Sequence, residues 1–306
     1  MAFAVYNAPD TPCRRAIILA GGTGSRLTPM TWAINKHLLP VFDKPMIYYP
    51  LTTLMFVGIR DFLIISNADA IPEFRRFFGN GSQWGLNIEY ATQDGANGIA
   101  EALLIGEAFI AGEPFSLVLG DNIYYGHGLP EMLAASAMHA RNGAGVLTYS
   151  VSNPQDYGVL TVDAAGQPVQ IAEKPANPTS NRAITGLYFY CAEAVEMARA
   201  LTPSARGELE ITDLNRVFME AGRLHYEELG RGSVWFDVGT TDALFAASAY
   251  IEIVQRRQSI GIAFPEEVAF RLGYIDLDRF SHIVDGLPDC AYRGVLEDVR
   301  REATEG

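Results

Sequence analysis

The sequence predicts an α/β protein with a mostly parallel sheet, and three observations carry that expectation. Short apolar runs of strand length recur through the first half with helix-patterned segments between them. A glycine-rich turn follows the first of these runs directly. The chain of 306 residues, 49% of them hydrophobic, is long enough to cover both faces of such a sheet.

Residues 1–14, with Pro9 and Pro12, read as a flexible lead-in. The runs at 16–20, 62–66, 88–91 and 115–119 are short, mainly apolar and flanked by turn residues, which predicts buried strands. Helical patterns fill 46–58, 72–78 and 99–109 between them and 132–141 after them. Such alternation implies right-handed crossovers between parallel strands, with ligands beyond the carboxyl ends of the strands. Two of those ends carry unusual loops, at Gly21 and Gly120. The texture then becomes strand-rich, with runs at 145–151, 158–162, 169–172 and 184–190, and this half is expected to supply a lid or a second substrate's site. Helices are predicted at 194–201, 211–221 and 242–257, the last from its long alternation of apolar and alanine positions. No internal repeat or low-complexity linker interrupts the chain.

A formal net charge of −13 excludes a broad basic face for nucleic acid, so a phosphate ligand must be met by local donors or a metal such as Mg²⁺. The three cysteines, Cys13, Cys191 and Cys290, lie far apart without a Cys-x-x-Cys pair, which argues against a zinc site and a disulfide framework. With no charged-then-apolar leader and no apolar run of membrane length, a soluble cytoplasmic protein is expected.

The stretch from Ile17 to Pro29 carries the strongest chemical signal. Gly21, Gly22 and Gly24 follow the first strand, and glycine lets backbone N–H groups approach an anion closely, while Arg26 adds a planar fork of donors. Leu27 stands where a dinucleotide fingerprint needs its third glycine, and no Gly-Lys-Ser/Thr follows, so neither a GxGxxG site nor a P-loop fits.

Asp121 ends an apolar strand in Leu117-Val-Leu-Gly-Asp-Asn122, and Asp237 occupies a similar setting in Trp235-Phe-Asp-Val-Gly239. Magnesium is held through one or two carboxylates plus phosphate oxygens and water, so the pair is a candidate metal site. Residue type alone explains Asp121 equally well as an Asx turn or a cap, and favours a cap for Asp237. Lys36 follows the glycine loop closely enough to meet a second phosphate, although a loop lysine is usually just solvated. His37 beside it has no ligand-spaced partner and reads as structural. Glu173 and Lys174 close a strand before Pro175, with Tyr157-Gly158 upstream. A carboxylate for hydroxyls, an ammonium for phosphate and a tyrosine ring suit a phosphorylated sugar; a surface ion pair suits the same residues as well.

Taken together, Leu19-Ala-Gly-Gly-Thr-Gly-Ser-Arg-Leu27, Lys36-His-Leu-Leu-Pro-Val-Phe-Asp-Lys-Pro-Met-Ile-Tyr-Tyr-Pro50, Leu119-Gly-Asp-Asn122 and Arg206-Gly-Glu-Leu-Glu-Ile-Thr-Asp213 resemble the glucose-1-phosphate thymidylyltransferases, from about Arg15 to Asp276. The resemblance implies a three-layer, Rossmann-like nucleotidyltransferase core (15–150), a sugar-binding portion that returns to the core sheet (151–241) and a C-terminal helical segment (242–306), in one compact unit. It also implies a homotetramer and an Mg²⁺-dependent reaction of dTTP with α-D-glucose 1-phosphate.

By that resemblance Arg26, Lys36 and Asp121 are the catalytic residues, and Asp121 and Asp237 hold the metal. Leu19, Gly21, Gly22, Thr23 and Gly24 line the nucleotide cradle, while Gln93 and Gly98 meet the base. Tyr157, Gly158, Glu173, Lys174 and Tyr188 contact the sugar phosphate. The segment Gln93-Asp-Gly-Ala-Asn-Gly-Ile-Ala-Glu101 departs from the family pattern by placing Ala96 and Glu101 where proline and glutamine are common. Two alternatives stay beside the main reading: the same chemistry with UTP or a modified hexose 1-phosphate, and a non-catalytic nucleotide-sugar sensor.

Overall fold

A computed structural model describes residues 9–305 of the chain. The first half alternates as expected: β1 (Arg15–Leu19), the two-residue β2 (Pro40–Val41) and β3 (Lys44–Pro45), α1 (Tyr48–Met55), β4 (Asp61–Ser66), α2 (Ile71–Phe78), β5 (Asn87–Thr92), α3 (Glu101–Ile105), α4 (Glu107–Ile110) and β6 (Phe115–Leu119). One helix expected over 99–109 is thus two. A Cβ at Gly106 would sit 2.6 Å from Ile17 Cδ1, so β1 and the helical layer meet at a position that only glycine fills.

Next come β7 (Asn122–Tyr125), α5 (Leu129–Met138), β8 (Ala144–Ser150), β9 (Gly158–Val162), β10 (Pro168–Glu173), β11 (Arg182–Tyr190), α6 (Ala194–Arg199), α7 (Ile211–Glu220), β12 (Leu224–Glu228) and β13 (Val234–Asp237). The chain closes with α8 (Thr241–Gln258), α9 (Pro265–Arg271), α10 (Leu277–Gly286) and α11 (Ala291–Glu305). Side-chain caps mark two of these starts: Thr240 accepts from the Ala243 N–H and Asp276 from the Arg279 N–H. None of the described helices is long and apolar enough to cross a membrane.

Nine described strands form one mixed sheet. Its first half is parallel, in the order β6-β1-β4-β5, and β11 then joins antiparallel to β6 and carries β8 and β9. Alternation along β1 sends Ala16, Ile18 and Ala20 into one core and Ile17 and Leu19 into another. Because each face buries its own apolar cluster against helices, the molecule has three layers. A third cluster, with Val41, Tyr49, Ile123, Val238 and Ile251, docks α8 against the small sheets.

The expected lead-in differs from the structure in part. Residues 1–8 lie outside the described residues, but Thr11 and Cys13 are buried, and Thr11 Oγ1 donates to the Val57 carbonyl at 3.1 Å. An apolar thiol and a satisfied hydroxyl hold this segment against α1 despite its two prolines.

The C-terminal helices are tied down by a buried carboxylate. Glu266 accepts from Trp84 Nε1 at 3.2 Å and from the Tyr292 hydroxyl at 2.7 Å. Glu266→Ala leaves both donors without that acceptor, and is expected to lower the unfolding free energy by about 2–4 kcal/mol in denaturant titrations. Burial pushes the Glu266 carboxyl above its ordinary value of 4.5. A raised folded value gives stability that is complete below the unfolded value and lost as pH rises through the folded one. The wild type should therefore gain stability relative to Glu266→Gln as pH falls from neutral toward 4.5; an unchanging gap between the two would remove this carboxyl as the source.

Candidate active site

The site forms where four parallel strands end together. Leu19, the last residue of β1, pairs with Leu119 of β6 on one side and Ile65 of β4 on the other. Chain order reverses across β1, which opens a crevice beyond its carboxyl end. The turn after β1 supplies Gly21, Gly22, Thr23 and Gly24, and the turn after β6 supplies Asp121. Gln93 follows β5, where its N–H donates to Ser66 at 2.9 Å.

Gly24 has φ +60°, and a Cβ there would lie 2.8 Å from Thr31 Cγ2. A larger residue would be strained and would collide with the segment leading to Lys36. Buried Leu27 anchors the short turn that carries Arg26. The Arg26 guanidinium is exposed and reaches across to the loop after β13, with Nη2 2.6 Å from where a Cβ of Gly239 would stand.

Asp121 is buried, and Lys36 Nζ donates to its Oδ2 while Asn122 Nδ2 donates to its Oδ1. Burial alone would raise this carboxyl, but the Lys36 ammonium and the two hydrogen bonds hold it below the usual range. Asp237 comes from the far strand: β13 pairs antiparallel with β7, opposing Asp237 to Asn122, and the Val238 N–H donates to the Asp121 carbonyl at 2.9 Å. Burial and the neighbouring Asp121 charge push the Asp237 carboxyl up. His37 Nδ1 lies 2.8 Å from Asn35 Oδ1, and burial and Lys36 lower the ring to about 3, so it is neutral where it lines the first cavity.

Two cavities meet at Asp121. The first, about 220 Å³, is lined by Leu19, Gly21, Gly22, Lys36, Gln93, Gly98 and Asp121 among others. The second, about 230 Å³, is lined by Arg26, Asp121, Tyr157, Gly158, Glu173, Lys174, Tyr188 and Asp237 among others. Gly158 opposes Glu173 in the β9/β10 ladder, and the Lys174 N–H donates to the Tyr157 carbonyl at 3.0 Å, which explains why two separate sequence pairs share one wall. Thr23 lines an adjoining polar recess with Gly22 and Lys36.

Several residues of this region carry no strong sequence signal of their own. Asn122 bridges three elements, since its Oδ1 accepts from the Gly186 N–H at 3.2 Å and Trp235 Nε1 at 2.6 Å. Thr212 Oγ1 donates to Glu173 Oε2 at 2.5 Å, and Arg206 pairs with Glu210 at 2.9 Å. Asn122 adjoins Asp121, and both Arg206 and Thr212 fall in the Arg206–Asp213 motif, so proximity to a marked residue was the available clue.

Among the described residues no group of three or more His, Cys, Asp or Glu side chains could hold a metal by itself. The Asp121–Asp237 pair still fits a hard cation that needs one or two carboxylates and takes its other oxygens from phosphate and water. Asp121 lines both cavities and Asp237 lines the second, close enough that the Asp121 charge acts on the Asp237 carboxyl.

A glycine turn, cationic side chains and two carboxylates around these cavities are the residue types that a phosphoryl-group-transferring enzyme uses. Accordingly, residues 15–253 match the model of the Nucleotidyl transferase family. The chain is 51% identical over 270 residues to a glucose-1-phosphate thymidylyltransferase of Xanthomonas campestris pv. campestris (strain B100), covering 88% of this chain and 91% of that one. It is 49% identical over 282 residues to the enzyme of the same name from Mycobacterium tuberculosis (strain CDC 1551 / Oshkosh), covering 92% and 97%. Among solved structures, a glucose-1-phosphate thymidylyltransferase from Bacillus anthracis in complex with sucrose superposes with TM-score 0.71 at 40% identity, covering 77% of this chain and 94% of that one. A UDP-glucose pyrophosphorylase complexed with UDP-glucose superposes with TM-score 0.69 at 25% identity, covering 79% and 99%. The chain belongs to the nucleotidyl transferases and, within them, to the glucose-1-phosphate thymidylyltransferase family.

Proposed function

We propose that this enzyme joins dTTP and α-D-glucose 1-phosphate into dTDP-glucose and pyrophosphate. The observation that carries the proposal is the meeting of the two cavities at Asp121, with Lys36 beside it and Arg26 reaching over the second cavity. A phosphate oxygen of the sugar phosphate attacks the α-phosphorus of the triphosphate; the new P–O bond forms as the α–β bridging bond breaks, and that electron pair leaves with pyrophosphate. Arg26 holds the triphosphate and the charge developing on pyrophosphate, and Lys36 meets the phosphates. Leu19, Gly21, Gly22, Thr23 and Gly24 cradle the nucleotide, with Gln93 and Gly98 at the base. Tyr157, Gly158, Glu173, Lys174 and Tyr188 bind the sugar phosphate, Lys174 at its phosphate. Asp121 and Asp237 are the residues to hold Mg²⁺, which when bound would neutralise phosphate charge. Such chemistry depends on positioning and electrostatics rather than on a protein nucleophile.

A homotetramer and a cytoplasmic location complete the proposal. Phe245 and Ile253 on α8 are 75% and 57% exposed, apolar surface suited to subunit contact, and the cysteines are unpaired.

Pyrophosphate release from dTTP and glucose 1-phosphate should exceed a no-enzyme blank, vanish with excess chelator and return with added Mg²⁺. The thymine methyl is one small apolar group, so UTP should be used with kcat/KM lower by about 10- to 200-fold at most. No turnover with any hexose 1-phosphate would return the chain to the sensor alternative.

A further inference from the structure

Arg26 is positioned by a surface and not by a bond. Among the described residues its guanidinium makes no hydrogen bond or ion pair, although the Asp237 carboxylate is near enough for the two charges to attract. Attraction alone sets no distance. The limit is the contact with Gly239: a Cβ there would stand 2.6 Å from Arg26 Nη2, 3.2 Å from Cζ and 3.7 Å from Nη1, and outside the adjoining residues these are its three nearest atoms. The glycine is buried and the arginine is exposed.

The two sides of this contact differ in stiffness. Gly239 lies between Val238, which is fully buried and donates its N–H to the Asp121 carbonyl at 2.9 Å, and Thr240, which caps α8 through the Ala243 N–H. Its own N–H donates to the Asp237 carbonyl at 2.9 Å. Arg26 instead reaches the contact on a long side chain from a three-residue turn, with several rotatable bonds between backbone and guanidinium. Gly239 also lies outside the left-handed region of φ, so its backbone conformation is open to alanine. What an added methyl would displace is the guanidinium.

We propose that Gly239 is a positioning residue for Arg26: its bare backbone lets the guanidinium settle beside Asp237 at the second cavity and sets how far it reaches. The inference rests on the role assigned to Arg26 above. Non-bonded atoms settle at about 3.5–4 Å, so a methyl at position 239 would push the guanidinium back by about 1 Å. A misplacement of that size costs up to about a hundredfold in rate when the group must meet the reacting atoms. The other neighbours of that methyl stand at ordinary contact distance or beyond, so the fold has no need to move with it.

The test is a double-mutant cycle: kcat with saturating dTTP, glucose 1-phosphate and Mg²⁺ for the wild type, Gly239→Ala, Arg26→Ala and the double variant, each beside its thermal unfolding midpoint. Gly239→Ala should lower kcat by about 10- to 100-fold and leave the midpoint in place. In the Arg26→Ala background the same change should alter kcat by less than about twofold, because the group it displaces is gone. Equal fold-losses in the two backgrounds, or a Gly239→Ala enzyme within about twofold of the wild type, would overturn the proposal. So would a Gly239→Ala chain that fails to fold, since the backbone and not Arg26 would then need the glycine. Arg26→Ala at wild-type turnover would instead remove the role given to Arg26 and the proposal with it, an outcome read separately from the single Gly239 variant.

Discussion

Asp121→Asn is expected to reduce turnover by at least about a thousandfold, roughly 4 kcal/mol of transition-state stabilisation, while the protein still folds. The carboxylate sits where both cavities meet, accepts from Lys36 and Asn122, and is backed by the Asp237 strand through the Val238 N–H. Asparagine keeps the volume but removes the charge, and it turns an amide N–H toward Lys36 or Asn122, both donors. Folding is less affected because two effects oppose each other. Lys36 loses its partner, and Asp237 loses the negative neighbour that disfavours its ionised form. The unfolding free energy should change by no more than about 2 kcal/mol. Steady-state rates at saturating substrates, beside a denaturant titration, check both halves. Near-normal turnover would remove Asp121 from the reaction, and a collapsed fold would make its role structural.

The second large effect is expected at Arg26. Replacing it with alanine should lower kcat by about 10²–10³-fold, the range measured when one preorganised donor to a developing negative charge is lost. Its guanidinium is exposed and lies against Gly239, so it is poised between the glycine turn and the Asp237 loop rather than spent in the fold. Stability should therefore stay within about 0.5 kcal/mol of the wild type. Arg26→Lys, which keeps the charge but not the planar fork, should recover only part of the loss. If Arg26→Ala raised KM alone and left kcat untouched, the side chain would bind substrate without favouring the transition state.

These expectations draw on parts of the molecule that were unevenly legible beforehand. Strands β1, β4 and β6 were readable because each is a continuous apolar run that must be covered on both faces, and α8 because eighteen residues repeat a helical pattern between Thr241 and Gln258. Strands β7 and β13 were not read as elements. Each has only four residues, and their pairing joins Asn122 to Asp237 across more than a hundred positions of chain. The split of 99–109 falls at Gly106, whose φ −82° and ψ 1° leave the helical region, and the packing of Thr11 turned on the Val57 carbonyl. Helices α9, α10 and α11 went unassigned individually, within a segment expected only to be helical as a whole.

The candidate site divides the same way. Glycines after a strand, an arginine two residues beyond them, and acidic residues at the ends of apolar runs are covalent neighbours, so their chemistry could be read directly from the chain. The pairing of Asn122 with Asp237, which brings Asp237 to the cavity that Asp121 lines, the shared wall of Tyr157 and Glu173, and the hydrogen bond from Gln93 to Glu101 are a different matter. The sequence by itself determined which residue types and local turns were available, because periodicity and backbone sterics act over a few residues. Only the tertiary structure decided which distant side chains face one another, because sheet register and two separate cores, not neighbouring positions in the chain, set those distances.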